Sequence, residues 1–175
     1  GNFCDLNIIN STISNNSSID NGSGIQVGPY SSATLLNVEI SNNITSMNGG
    51  GLSGETWSII NLTNVLITGN EAAGSGGGLW LKNSDEFISN VTISENISGV
   101  NGGGIYGSWD LDFDTAIIKN SILWNNTSPE IHFQWNSNPN TISISYSDIK
   151  DGEDGIDTND NGTIYWEEGN IDADP

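Results

Sequence analysis

The sequence predicts an all-β fold, a right-handed parallel β-solenoid of about six coils with roughly 26–27 residues in each. Three observations carry that reading. Five stretches share one pattern: INSTISNN, LNVEISNN, TNVLITGN, SNVTISEN and KNSILWNN, ending at Asn16, Asn43, Asn70, Asn96 and Asn126. In each, an asparagine is followed three residues later by Ile or Leu, and three later again by a second asparagine. The leading residues Asn10, Asn37, Asn64, Asn90 and Asn120 are separated by 27, 27, 26 and 30 positions. Glycine-rich clusters keep the same beat: GSGI, GGGL, GGGL and GGGI end at Ile25, Leu52, Leu79 and Ile105, and SPEI ends at Ile131, in steps of 27, 27, 26 and 26. Finally, the apolar residues fall into columns at the same period. A β-sandwich places turns every 8–12 residues or so, but it does not repeat one motif in phase. A helical reading fails on alternating apolar spacing, dense Asn and Gly, and abundant β-branched residues.

Each coil begins with the stretch that holds two columns. Ile8, Leu35, Leu62, Ile88, Ile118 and Ile144 form the first, and Ile13, Ile40, Ile67, Ile93, Leu123 and Ile149 the second. The last member belongs to a degenerate copy, ISYSDIK. Parallel strands from successive coils would set these residues one above another at about 4.8 Å. The handedness follows from the preference of parallel crossovers. The asparagines tolerate left-handed corners and, once stacked, can bond through their amides along the axis. Glycine clusters supply the next corner, where the chain turns sharply between closely packed coils. The residues that follow them make the third column. Several N-x-S/T sequons, including Asn43, Asn61, Asn90 and Asn96, follow from composition, and some fall on these corners.

Charge bounds the partners. The 175 residues include 22 Asp and Glu against three Lys and no Arg, a net charge of −19. Nothing here neutralises phosphates, so nucleic acid and anionic membrane are excluded as partners. Cys4 is the single cysteine, which rules out an internal disulfide and a cysteine metal cluster. No stretch approaches the roughly 18 apolar residues of a membrane helix, so no membrane insertion is expected. With no initiator Met or signal peptide and strand-like sequence from residue 3, the chain reads as a mature or excised piece of a longer protein.

The motifs GGGL, GGGI and I-x-x-N (Ile13–Asn16, Ile40–Asn43, Ile67–Asn70, Ile93–Asn96) resemble those of right-handed parallel β-helix repeat proteins of the polymorphic outer-membrane protein type. The closing NSILWNN, YSDI and NIDADP are similar to the last coils of large secreted bacterial surface proteins with such repeats. The resemblance covers roughly residues 5–150 and the last six. It implies an extracellular or cell-surface structural, passenger or adhesive module of a larger protein, and it brings no catalytic residues.

Chemistry outside the repeat concentrates in three places. DTNDNGTIYWEE fits a calcium-loop pattern, with Asp157, Asn159, Asn161, the Thr163 carbonyl and Glu168 as oxygen ligands and Gly162 at the bend. The flanks are not helical, and an acidic surface loop is the alternative. On this reading residues 1–150 form the β-helix, and residues 151–175 an acidic loop or cap within the same domain. WDLDFD interrupts the register by about four residues and sets Asp110, Asp112 and Asp114 on one strand face, either as a cation site or as a solvated edge. Trp80, Tyr106 and His132 each follow a third-column residue, so they should stack outward as an exposed aromatic strip. Such a strip either stabilises strand stacking or binds glycans.

An enzyme is disfavoured. A lyase for acidic sugars needs basic groups that this chain lacks, and a hydrolase needs two carboxylates about 5–10 Å apart in a cleft. The expected role is a non-catalytic structural or adhesive module, with a carbohydrate-binding or polysaccharide-active β-helix as the alternative. Open solenoid ends could be covered by a neighbouring domain, or by another copy in end-to-end filaments.

Overall fold

The computed structural model describes residues 3–108, 116–127, 129–134, 140–160 and 162–175. The Asp110, Asp112 and Asp114 cluster and Asn161 of the calcium motif lie outside the described residues. Strands arrive three per coil: β1 (Asp5–Ser14), β2 (Ser17–Ser18) and β3 (Ile25–Val27), then β4 (Ser32–Ser41), β5 (Ile44–Thr45) and β6 (Leu52–Gly54). The third and fourth coils hold β7 (Ile59–Thr68), β8 (Glu71–Ala72), β9 (Leu79–Lys82), β10 (Asp85–Ser94), β11 (Ile97–Ser98) and β12 (Ile105–Ser108). Next come β13 (Ala116–Lys119), β14 (Ile122–Trp124), β15 (Ile131–Phe133), β16 (Asn140–Ser145), β17 (Asp148–Ile149) and β18 (Ile156–Asp157), with a 3-10 turn at Gly152–Gly155. A last strand, β19 (Gly162–Trp166), opens one more coil.

Every strand pairs in parallel with its counterpart one coil away. The main sheet runs β1-β4-β7-β10-β13-β16-β19, a second β3-β6-β9-β12-β15-β18, and a short third β2-β5-β8-β11. The chain is a parallel β-solenoid. Its columns have the predicted register: Ile8 pairs with Leu35, Leu35 with Leu62, Leu62 with Ile88, and Ile88 with Ile118. Ile40, Ile67 and Ile93 likewise stack in one line and are fully buried.

Two columns run further than the sequence reading carried them. Ile156 pairs with Ile131 and extends the third; Trp166 pairs with Ile144 and extends the first. Within residues 151–175, β18 and β19 are therefore rungs of the solenoid sheets.

Corners explain the dense Asn and Gly. Asn10, Asn37, Asn64, Asn90 and Asn120 all have left-handed backbone, with φ between 50° and 56°. Asparagine accepts this conformation more readily than most residues with a side chain, because its short polar group bonds locally. At the glycine corner Gly102 has φ +63°, and a Cβ there would lie 2.3 Å from the Ile105 carbonyl oxygen. No side chain fits.

The second asparagine of each motif builds an interior ladder. The main-chain N–H and the Nδ2 of Asn43 both donate to Asn70 Oδ1, at 3.1 and 2.9 Å. Asn70 does the same to Asn96 at 3.0 and 3.0 Å, and Asn96 to Asn126 at 2.9 and 2.8 Å. The second Nδ2 hydrogen of Asn70 reaches back to the Ile40 carbonyl at 2.9 Å. Each interior amide thus makes four hydrogen bonds to protein groups. Asn43 and Asn96, two of the sequons, are fully buried in this ladder.

Replacing Asn70 with leucine strands the Asn43 N–H, the Asn43 amide and the Ile40 carbonyl. At about 1–3 kcal/mol for each orphaned buried group, the loss should be on the order of 4 kcal/mol. Asn64→Leu on the exposed outer ladder, where Nδ2 donates to Asn37 Oδ1 at 3.1 Å, strands no buried group and should cost only the left-handed-backbone penalty of about 1–2 kcal/mol. Urea denaturation of both variants measures the contrast, and equal losses would contradict it.

Candidate functional site

Side chains outside the core columns gather at four places on the solenoid. Trp80, Tyr106 and His132 do stack, since Tyr106 pairs with Trp80 on one side and His132 on the other. The Tyr106 and His132 rings are nearly parallel, 19° apart, with centroids 5.4 Å apart. The strip is only partly exposed, however. Trp80 and Tyr106 are half-buried and His132 is buried. Its imidazole is held by the Tyr106 ring, by Asp157 Oδ2 at 2.9 Å from Nδ1, and by Asn101 Nδ2 at 3.5 Å from Nε2. Burial raises the Tyr106 phenol above its ordinary pKa, and its hydroxyl donates to Gln134 Oε1 at 3.1 Å. Strand alternation turns these side chains off the apolar core, but the close stacking of neighbouring coils then covers them.

The residues of the calcium motif are spread along the last winding. Asp157 sits in β18, bonded to His132 and accepting the Asn159 N–H at 2.8 Å. Thr163 lies in β19, paired with Thr141, while Glu168 lies past its end and accepts the Tyr146 hydroxyl. The five residues of β19 span about 13 Å of extended chain, which holds the two ends of the motif apart. Among the described residues no group of three or more His, Cys, Asp or Glu side chains converges as a metal site. A shallow hollow of about 330 Å³ at this end is lined by Asp151, Glu153, Asp154, Asp172 and Trp166.

Two features escaped the sequence reading. The first is a second aromatic column, Phe3, Tyr30 and Trp57, at the corner that enters the long strand of each coil. Tyr30 and Trp57 are stacked with centroids 4.5 Å apart and planes tilted by 33°, and Phe3 meets Tyr30 edge-on at 6.1 Å. All three are exposed, at 74%, 51% and 49%. Tyr30 and Trp57 have left-handed backbone, φ 58° and 60°, at a corner where the next coil places Asn83. That conformation costs a non-glycine residue about 1–2 kcal/mol. The ring contacts contribute about 0.5–1.5 kcal/mol each beyond the apolar area they bury, a gain of the same order as the backbone cost. The period of 27 residues was the available signal, and it fell outside the motifs used to find the repeat.

The second is a cap on the interior ladder. Where the next coil would offer an asparagine the chain has Gly152, and Glu130 fills the vacancy. Its Oε1 accepts the Asn126 N–H at 3.2 Å and its Oε2 the Asn126 Nδ2 at 2.5 Å. Only 3% of Glu130 is exposed. Burial raises its pKa, against the Asn126 hydrogen bonds and the Lys150 charge, which lower it.

Against this geometry, one comparison with known proteins is informative. The model of the Chlamydia polymorphic membrane protein repeat matches residues 90–108, which span the strand β10, the corner Asn96, the glycines 102–104 and the strand β12. Over that stretch the match supports a β-solenoid repeat of the polymorphic membrane protein type. In this repeat the apolar-x-x-Asn element supplies one column residue and one ladder amide, and the glycine element supplies the tight corner. No curated protein and no solved structure matches the chain. No helix among the described residues is long and apolar enough to cross a membrane.

The raised Glu130 pKa makes a testable statement about pH. The folded state holds this proton more tightly than the unfolded chain, so Glu130 lowers stability as pH rises from the ordinary carboxylate range through its folded pKa. Glu130→Gln removes the buried charge but keeps only one of the two acceptor oxygens, so one Asn126 donor loses its partner at every pH. Relative to the parent, its melting temperature should therefore rise from pH 4 to pH 7. A difference independent of pH would show that the carboxylate is not the cause.

Proposed function

We propose that this chain is a non-catalytic structural module of a cell-surface protein, a rigid column whose N-terminal face receives a further coil. The observation that carries the reading is the like-over-like register from Ile8 to Trp166, which commits each inward side chain to a neighbouring coil. The repeat type, named for membrane proteins, and the charge of −19 support a surface location.

The two ends differ. At the C-terminal end Glu130 closes the amide ladder. At the N-terminal end Asn16 donates to Asn43 at 3.0 and 2.8 Å, and its exposed Oδ1 accepts no hydrogen bond among the described residues. Leu6, Ile8 and Ile13 pack on the core yet are half-buried, whereas Leu35 and Ile40 one coil later are fully covered. A coil carrying an asparagine at the ladder position would satisfy both. A neighbouring segment fits this role better than the C-terminal end of a second copy. That end carries Asp151, Glu153, Asp154 and Asp172, and it would face Asp5 and Asp20.

Duplicating residues 28–54 ahead of residue 1 should raise the melting temperature by several degrees, and Asn43→Leu in the duplicate alone should remove most of the rise. Sedimentation of the parent chain should give a monomer up to millimolar concentration. An unchanged melting temperature would refute the receiving face, and concentration-dependent association would assign it to a second copy.

Calcium binding at Asp157, Asn159, Asn161, Thr163 and Glu168 belongs to this reading only if β19 leaves the sheet and the Asp157–His132 and Glu168–Tyr146 contacts open. These costs lead us to expect no more than a one-degree change in melting temperature at millimolar calcium. A larger rise that is lost in the double variant Asp157→Ala, Glu168→Ala would establish the site.

A further inference from the structure

The Phe3, Tyr30 and Trp57 column combines two properties that no other surface of the molecule shares among the described residues. Its rings are exposed on consecutive coils, and two of them sit on left-handed backbone. Tyr146, the other aromatic residue with left-handed backbone, differs because its neighbourhood explains it. Its hydroxyl is bonded to Glu168, Lys119 lies 5.8 Å from its ring, and a Cβ at Gly169 would strike the ring at 2.4 Å. Among the described residues no such polar anchoring is present at Tyr30 and Trp57. The asparagine at the equivalent Asn83 corner makes the same turn with a residue suited to it. The column also stops there, so among the described residues Trp57 is the last ring and has an aromatic neighbour on one side only.

We propose that this column is a docking platform for neutral glycans, with a pyranose ring stacked on Trp57 and the adjoining residue of the oligosaccharide lying along Tyr30 and Phe3. Aromatic rings present a negative face to the C–H groups of a sugar and contribute apolar area at low entropic cost. Strained side-chain placement is a recurrent property of ligand clamps. Charge selects the class of occupant. At −19, with three lysines and no arginine, the chain repels uronates, sialylated chains, anionic lipids and a second copy of itself. A neutral sugar meets no such barrier. The platform shares Phe3 with the coil-receiving face, but Tyr30 and Trp57 lie on later coils, so a test at Trp57 reads the platform alone.

The test uses the intact chain, titrated by tryptophan fluorescence and by NMR with cellohexaose, xylohexaose and chitohexaose, and with hexagalacturonate as the acidic control. At least one neutral hexasaccharide should bind. Trp57→Asn, which copies the residue already present at the equivalent Asn83 corner, should weaken it by tenfold or more while the melting temperature holds or rises. Trp80→Ala should leave affinity within twofold. No binding by any neutral probe, preferential binding of hexagalacturonate, or binding insensitive to Trp57→Asn would each overturn the proposal. So would a parent dimer that Trp57→Asn dissolves, since the platform would then serve self-association.

Discussion

Stacking distance is the constraint from which this molecule is built. Parallel coils approach to the spacing of hydrogen-bonded strands, about 4.8 Å, and everything between them must fit that gap or be removed. Apolar columns fill the interior because identical shapes nest on themselves. Glycine occupies the corner where the neighbouring carbonyl leaves no room, as Gly104 does with the Glu130 oxygen 2.7 Å from where its Cβ would be. The interior asparagines meet the same constraint with polar atoms: an amide repeated at this interval can be both donor and acceptor to its own kind. Such a chain of buried bonds is stable only when complete. That explains why the ladder ends in a carboxylate instead of an empty position.

The two amide ladders run in opposite senses. Inside, the donors of each coil point toward the coil that follows it in sequence, as from Asn43 to Asn70. Outside, Asn37 Nδ2 donates back to Asn10 Oδ1 at 2.9 Å, and Asn64 to Asn37. Both directions are set by the corner geometry, since the inner amide must also reach the carbonyl of the preceding coil. The coils are therefore not interchangeable top for bottom. Any segment that continues the column must enter with the same polarity.

Much of this was legible in the sequence because the repeat converts three-dimensional neighbours into residues 26 or 27 apart. Ile8 over Leu35, Ile40 over Ile67 and Leu79 over Ile105 needed only counting. Legibility failed where local composition masked the period. The Asp, Asn and Gly content of residues 157–162 looks like a loop, and it hid the rungs at Ile156 and Trp166. Strand alternation sent Trp80, Tyr106 and His132 outward, but alternation says nothing about cover from adjacent coils, and His132 is buried. Glu130 was invisible as a cap, because its role depends on an asparagine four residues earlier whose expected partner is missing. Tyr30 and Trp57 went unnoticed since no rule of propensity places large rings on left-handed backbone.

The fifth coil changes the cross-section. From Asn96 to Ile105 the chain takes nine steps, and from Asn126 to Ile131 only five; among the described residues the short third sheet ends at β11, while the long strand of the main sheet divides into β13 and β14, both paired with β10. Among the described residues, three sides of the wall are paired as strands above that point, and below it the third is held only by the Thr127 N–H donating to the Asn96 carbonyl. Tension applied between the two ends would therefore not be shared evenly. The coils beyond β12 have fewer rungs to resist peeling, and they would part first while the three-sided section stayed wound. A module of this kind yields from its acidic end, and its extension under load would come in steps of one winding at a time.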